Sequence, residues 1–73
     1  MPFIQIDVTR DGVTKAQKQE LILGATQLLK DVLNKDFSLT HVIIREIDSD
    51  NWGLAGEQVT EIRKQINKQS NNA

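Results

Sequence analysis

The sequence predicts an α+β fold built on one βαβ unit, and three observations carry that prediction. Residues 3–9 alternate apolar and polar side chains, a stretch from about 15 to 34 repeats apolar residues at three- and four-residue steps, and an apolar run returns from about Thr40 to Ile47. Alternation marks a half-buried strand, and the longer repeat marks an amphipathic helix. Strand, helix and strand in that order make the two strands parallel and the crossover right-handed, because parallel neighbours cannot be joined by a tight turn.

Pro2 leads directly into the first strand, where Ile4, Ile6 and Val8 fall on one face and Phe3, Gln5 and Asp7 on the other. A proline at the head of an edge strand costs little, because its missing N–H is not needed there. Arg10-Asp11-Gly12-Val13 supplies a turn. Thr14 and Gln17 then form a capping box, in which the hydroxyl and the amide side chain satisfy free backbone N–H groups at the helix start. In the helix, Leu21, Ile22, Ala25, Leu28, Leu29, Val32 and Leu33 make one apolar stripe. Lys15, Lys18, Gln19, Lys30 and Asp31 lie largely off the stripe and read as a solvated face. Gly24 weakens the helix by about 1 kcal/mol relative to alanine, which points to close packing against a neighbouring element. Asn34-Lys35-Asp36 closes the helix.

The second strand carries Val42 and Ile44 on one side and Ile43 and Ile47 on the other. Both of its faces call for burial, yet one helix covers only one face. After the turn cluster Asp48-Ser49-Asp50-Asn51, Val59, Ile62 and Ile66 sit at helical spacing. That spacing fits a helix in the segment before the tail. Residues 1–73 form a single domain, with 64–73, polar and rich in Asn, Gln and Lys, read as a flexible tail.

Seventy-three residues bury too modest a fraction of their surface to be secure without a staple. The chain has no cysteine for disulfides, and its single histidine, His41, argues against a His-built metal site. Oligomerisation is the staple that remains. Nine basic and ten acidic residues, scattered along the chain, give a net charge of −1 and no support for nucleic-acid binding. No apolar run approaches the roughly 18 residues of a membrane span, and no basic lead precedes an apolar stretch. A cytoplasmic location and no membrane partner are the expectations.

Pro2 is the residue with unusual chemistry. Removal of Met1 exposes a prolyl secondary amine; α-amino groups ordinarily titrate near about 7.7 to 8.0, and an apolar setting lowers that value by disfavouring the cation. A neutral amine near pH 7 can act as a general base. With Met1 attached the same nitrogen is an amide and cannot.

The ordered fragments Pro2-Phe3-Ile4-Gln5-Ile6, Asp11-Gly12, Gln17-Lys18-Gln19-Glu20-Leu21, His41-Val42-Ile43-Ile44-Arg45-Glu46 and Asn51-Trp52-Gly53-Leu54-Ala55-Gly56-Glu57 resemble the 4-oxalocrotonate tautomerase family. The resemblance runs from Pro2 to about Arg63. It implies the tautomerase fold, subunits paired into four-stranded sheets and assembled as a homohexamer, sites formed between subunits, and a short hairpin after the second strand. It also implies an isomerase that needs no cofactor and acts on a 2-hydroxydienoate or related 2-oxo acid, with Pro2 as the acid/base.

Two positions depart from the family pattern. His41 stands where the family has an arginine that holds the substrate carboxylate or developing oxyanion, and Val13 stands where a second arginine follows the glycine of the first turn. Arg10, three residues earlier in a turn one residue longer, is the candidate replacement. A guanidinium offers a permanent charge and a bidentate fork, whereas neutral histidine offers one donor. Trp52 matches an aromatic that makes the site apolar, and is equally suited to anchoring an interface. Arg45, about 13 Å along the strand from His41, reads as a salt-bridge or interface residue, and Arg63 as a structural one. Two alternatives stay open: a hydratase or dehalogenase of an unsaturated acid, for which Glu46 or Asp7 could activate water, and a homo-oligomeric scaffold without catalysis.

Overall fold

A computed structural model describes the backbone of residues 1–71 and the side chains of residues 1–66. Strand β1 spans Phe3–Thr9, helix α1 Lys15–Leu33 and strand β2 His41–Ile47. The strands pair in parallel from Phe3 opposite His41 to Thr9 opposite Ile47, and α1 makes the crossover. Thr14 caps α1 as its spacing predicts: its hydroxyl accepts the Gln17 N–H at 3.1 Å, and the Gln17 side chain accepts the Thr14 N–H at 2.9 Å. Asn34 ends the helix in the left-handed region at φ 55°, donating its N–H back to the last turn, a conformation asparagine tolerates better than most residues.

The segment after β2 holds both of the structures between which the sequence left a choice. A 3₁₀ turn over Ser49–Asn51 leads to a hairpin of β3 (Gly53–Leu54) and β4 (Glu57–Gln58), and helix α2 follows over Val59–Asn71. Its hairpin loop, Ala55-Gly56, has φ values of 54° and 83°. Two consecutive positive φ angles are the mark of the tight turns that match strand twist. Helical backbone thus runs through most of the segment read as a flexible tail, 64–73; residues 72 and 73 lie outside the described residues.

One face of the sheet is covered and the other is bare. Ile4, Ile6 and Val8 of β1 and Val42, Ile44 and Glu46 of β2 are partly buried beneath α1, whereas Phe3, Gln5, Asp7, His41, Ile43 and Arg45 are exposed on the opposite face. Among the described residues no apolar side chain is fully buried, and the one buried residue is Thr26, whose hydroxyl donates to the Ile22 carbonyl at 2.7 Å. The predicted apolar stripe of α1 is wider than the sheet beneath it: Ile22, Ala25 and Leu29 turn inward, while Leu21, Leu28, Val32 and Leu33 remain exposed. Burial at about 25 cal/mol per Å² of apolar surface is the main source of stability, so a chain with this much bare apolar area gains strongly from association.

Among the described residues of this chain no atom lies within 4 Å of a Cβ built at Gly24, so the close packing its position suggests has no partner within the monomer. One sequence expectation is corrected here. Lys18 does not belong to a solvated face. It lies on the sheet side of α1 and donates to Glu46 at 2.8 Å with both side chains largely covered.

Candidate active site

Parallel pairing puts the start of β2 beside the start of β1, and the backbone shows the consequence directly. The His41 N–H donates to the Pro2 carbonyl at 3.0 Å. Pro2 is partly buried, its carbonyl held by the ladder, and its nitrogen stands at the end of the sheet where Met1 joins it. His41 is exposed on the bare face next to Phe3. These two sequence-predicted residues are therefore brought together within one chain.

Arg10 and Trp52 lie at the other end. The Arg10 N–H donates to the Ile47 carbonyl at 2.9 Å and extends the ladder past the ends of β1 and β2, so eight residues of extended chain, about 26 Å, separate it from Pro2. Its guanidinium pairs with Asp48 at 3.1 Å, both side chains more than half exposed (61% and 57%). Such a pair is worth about 0 to 1 kcal/mol. Trp52 follows the 3₁₀ turn that leaves β2; its N–H donates to the Ser49 carbonyl at 3.4 Å and its carbonyl accepts the Val59 N–H at 2.8 Å. It is partly buried at the Arg10 end.

Polar contacts brace this distal end, and spacing along the chain does not reveal them. Arg63 of α2 grips Asp11 with both arms, Nη1 to Oδ1 at 2.6 Å and Nη2 to Oδ2 at 3.0 Å, and Nη2 also donates to the Thr9 hydroxyl at 3.0 Å. The Arg63 guanidinium, helped by the Thr9 hydroxyl, holds the Asp11 carboxyl down at about 2. Thr60, one turn earlier on α2, bonds Ser49 at 2.6 Å and Asp50 at closer range, and the Gln58 side chain donates to the Asp50 carbonyl at 2.9 Å. By sequence Asp11 and Asp48 are turn residues without a partner and Thr60 is not named; only the fold brings them to their partners.

On the bare sheet face Arg45 and Asp7 are register partners, and the guanidinium donates from Nε at 3.0 Å and from Nη2 at 3.2 Å to the two carboxylate oxygens. The hydrogen bond from Arg45 keeps Asp7 below the usual carboxylate range. Arg45 is thus the salt-bridge residue its position implied. A groove of about 590 Å³ beside the first turns of α1 is lined by Lys15, Ala16, Lys18, Gln19 and Ile22, none of them a predicted site residue. Among the described residues no cluster of three His, Cys, Asp or Glu is arranged to hold a metal ion, and no helix is long and apolar enough to cross a membrane.

A proline at the head of a parallel strand pair, one crossover helix and a hairpin thereafter define a protein of the tautomerase fold, and solved structures of that fold superpose on the chain. Helicobacter pylori DmpI matches with a TM-score of 0.83 at 46% identity, over 86% of this chain and 97% of its own. The family model described as "Tautomerase enzyme" matches residues 2–62, and the chain belongs to that family. It is 57% identical over 65 residues to probable tautomerase K2 of Dickeya dadantii, covering 89% of this chain and 97% of that one. It is 36% identical over 62 residues to 2-hydroxymuconate tautomerase of Pseudomonas putida, covering 85% and 97%. The resemblance to the 4-oxalocrotonate tautomerase family is upheld by these relatives and by 4-oxalocrotonate tautomerase structures that share the fold.

Proposed function

We propose that this chain, once Met1 is removed, is a cofactor-independent tautomerase that converts the enol form of a 2-hydroxydienoate to the conjugated 2-oxo acid. The observation that carries this is the placement of Pro2 at the head of the sheet with His41 hydrogen-bonded beside it, in a chain whose relatives are tautomerases. The neutral prolyl amine takes the proton of the 2-hydroxyl group. As that O–H bond breaks, its electrons form the C2 carbonyl, the double bonds shift along the chain, and the far carbon takes a proton back from the prolinium. General acid–base catalysis of this kind contributes about 10²- to 10⁴-fold, and donors aimed at the developing oxyanion add to it. His41 supplies a donor next to Pro2, Arg10 the carboxylate contact, and Trp52 an apolar wall that favours the neutral amine.

All four act together only between chains. Pro2 and His41 occupy one end of the sheet and Arg10 and Trp52 the other, about 26 Å away. A second copy whose sheet adds in the opposite direction brings its distal end to the proximal end of the first, and the bare apolar surface supplies the driving force. The homo-oligomer, six chains in the family the sequence resembles, is therefore part of the proposal. The carboxylates a hydratase would enlist, Asp7 and Glu46, are tied to Arg45 and Lys18. The test is conversion of 2-hydroxymuconate by protein sorted by intact mass into Met1-free and Met1-retaining forms; activity confined to the Met1-free form supports the proposal, and equal rates remove Pro2 as the base.

A further inference from the structure

We infer that α2 is the positioning element of the site's distal half, with Arg63 setting the turn that carries Arg10 and Thr60 setting the turn that carries Trp52. This rests on the placement of Arg10 and Trp52 in the site proposed above. Thr60 and Arg63 are three residues apart on α2 and so project from one side of the helix. From that side each reaches a different loop: Thr60 bonds Ser49 and Asp50 in the 3₁₀ turn immediately before Trp52, and Arg63 bonds Asp11, next to Arg10, and Thr9, just before it. Among the described residues, no side-chain hydrogen bond holds Trp52, and the Arg10 side chain has only the exposed pair with Asp48.

The division of labour follows from the bond types. A bidentate guanidinium–carboxylate contact fixes orientation as well as distance, so the Arg63–Asp11 fork sets the direction in which the Arg10 turn leaves β1. Gly12, at φ 82°, lets the chain reverse immediately after the gripped residue. The Arg10 guanidinium is then free to exchange Asp48 for a substrate carboxylate without its backbone moving. Misplacement of a binding group by about 1 Å can cost up to roughly a hundredfold in rate, so a residue that never touches substrate can govern its binding.

The experiment uses Met1-free full-length protein with 2-hydroxymuconate as the probe. Arg63→Gln is expected to raise KM roughly tenfold while kcat changes less than about threefold, because the contact affected is carboxylate binding and not proton transfer. Arg63→Lys keeps the charge without the fork and is expected to recover only part of the loss. Arg10→Ala is expected to raise KM by itself, and adding Arg63→Gln to it should add little, since Arg63 acts through Arg10. An Arg63→Gln penalty undiminished in the Arg10→Ala background overturns the positioning role, and so does an unchanged KM in Arg63→Gln. If Arg10→Ala leaves KM unchanged, the placement of Arg10 in the site fails, and the Arg63 half of the inference with it.

The Thr60 half has a readout that does not depend on activity, because Trp52 is the only tryptophan in the chain. Thr60→Val is expected to change Trp52 emission and increase its quenching by acrylamide, and Thr60→Ser to restore both. Identical Trp52 quenching in wild type and Thr60→Val, with each sedimenting as the same species, overturns it.

Discussion

The Pro2 carbonyl accepts the His41 backbone N–H at 3.0 Å, so the candidate base and the first residue of β2 are locked together by the first rung of the parallel ladder. Main-chain bonding makes this relationship independent of either side chain. His41 can therefore be replaced without displacing Pro2.

Pro2→Ala, after Met1 removal, is expected to lower kcat by on the order of 10²-fold or more. The primary amine differs in basicity and placement from the constrained secondary one. Stopped-flow or steady-state absorbance of an enol substrate checks it, with sedimentation to show that the assembly is intact.

His41→Arg restores a fork where the sequence departs from the family pattern. It is expected to improve binding of dicarboxylates over monocarboxylates by roughly tenfold, about the worth of one charge-assisted contact. Competitive inhibition by one acid of each kind, measured on both proteins, decides it: superimposable inhibition removes His41 from the site.

Ile43 is 47% exposed and Phe3 55% exposed at the centre and edge of the bare sheet face. Ile43→Asp places a charge where a partner sheet would bury an apolar side chain, and is expected to shift the protein from oligomer to monomer and to lower its stability. Sedimentation at micromolar concentration reads this; an unchanged oligomer would mean that the sheet face is not the contact.

Ala55 sits at φ 54°, where an L-residue with a Cβ is disfavoured by about 1 to 2 kcal/mol. Ala55→Gly relieves the clash at some entropic cost, and Ala55→Asn relieves it at less, so each is expected to raise stability by a net of up to about 1 kcal/mol. Denaturant unfolding at fixed protein concentration measures the change.

Asp11 titrates at about 2 in the folded chain, against an ordinary value of 3.8, because Arg63 and Thr9 bond its charged form. A lowered folded-state value means that the clamp's contribution is complete above about pH 4 and fades as the pH falls through 2. Asp11→Asn should therefore reduce stability at pH 7 and lose that disadvantage toward pH 2. Unfolding curves of both proteins across this range check the sign; a gap that persists unchanged at pH 2 would mean that the charge of Asp11 is not what Arg63 holds.

Local spacing was enough for the elements that position Pro2. Alternation over residues 3–9, the Thr14–Gln17 box and the three-four repeat of α1 are short-range signals, and the structure reproduces each within a residue or so. The adjacency of His41 and Pro2 was also legible, since parallel strands must begin at the same end. What only the tertiary structure decided is how charges separated by many residues meet: Arg63 with Asp11, Lys18 with Glu46, Thr60 with Ser49. It also decided that Arg10 and Trp52 gather at the end of the sheet remote from Pro2. Pairings of this kind depend on where a crossover and a returning helix deliver side chains, and no periodicity records that. The hairpin was legible through the family resemblance alone, and local turn chemistry did not announce it. Its loop is Ala55-Gly56 rather than the Asn-Gly or Asp-Gly that announces such turns, so a strained alanine, held by the strands on either side, carries a conformation that its own chemistry does not favour.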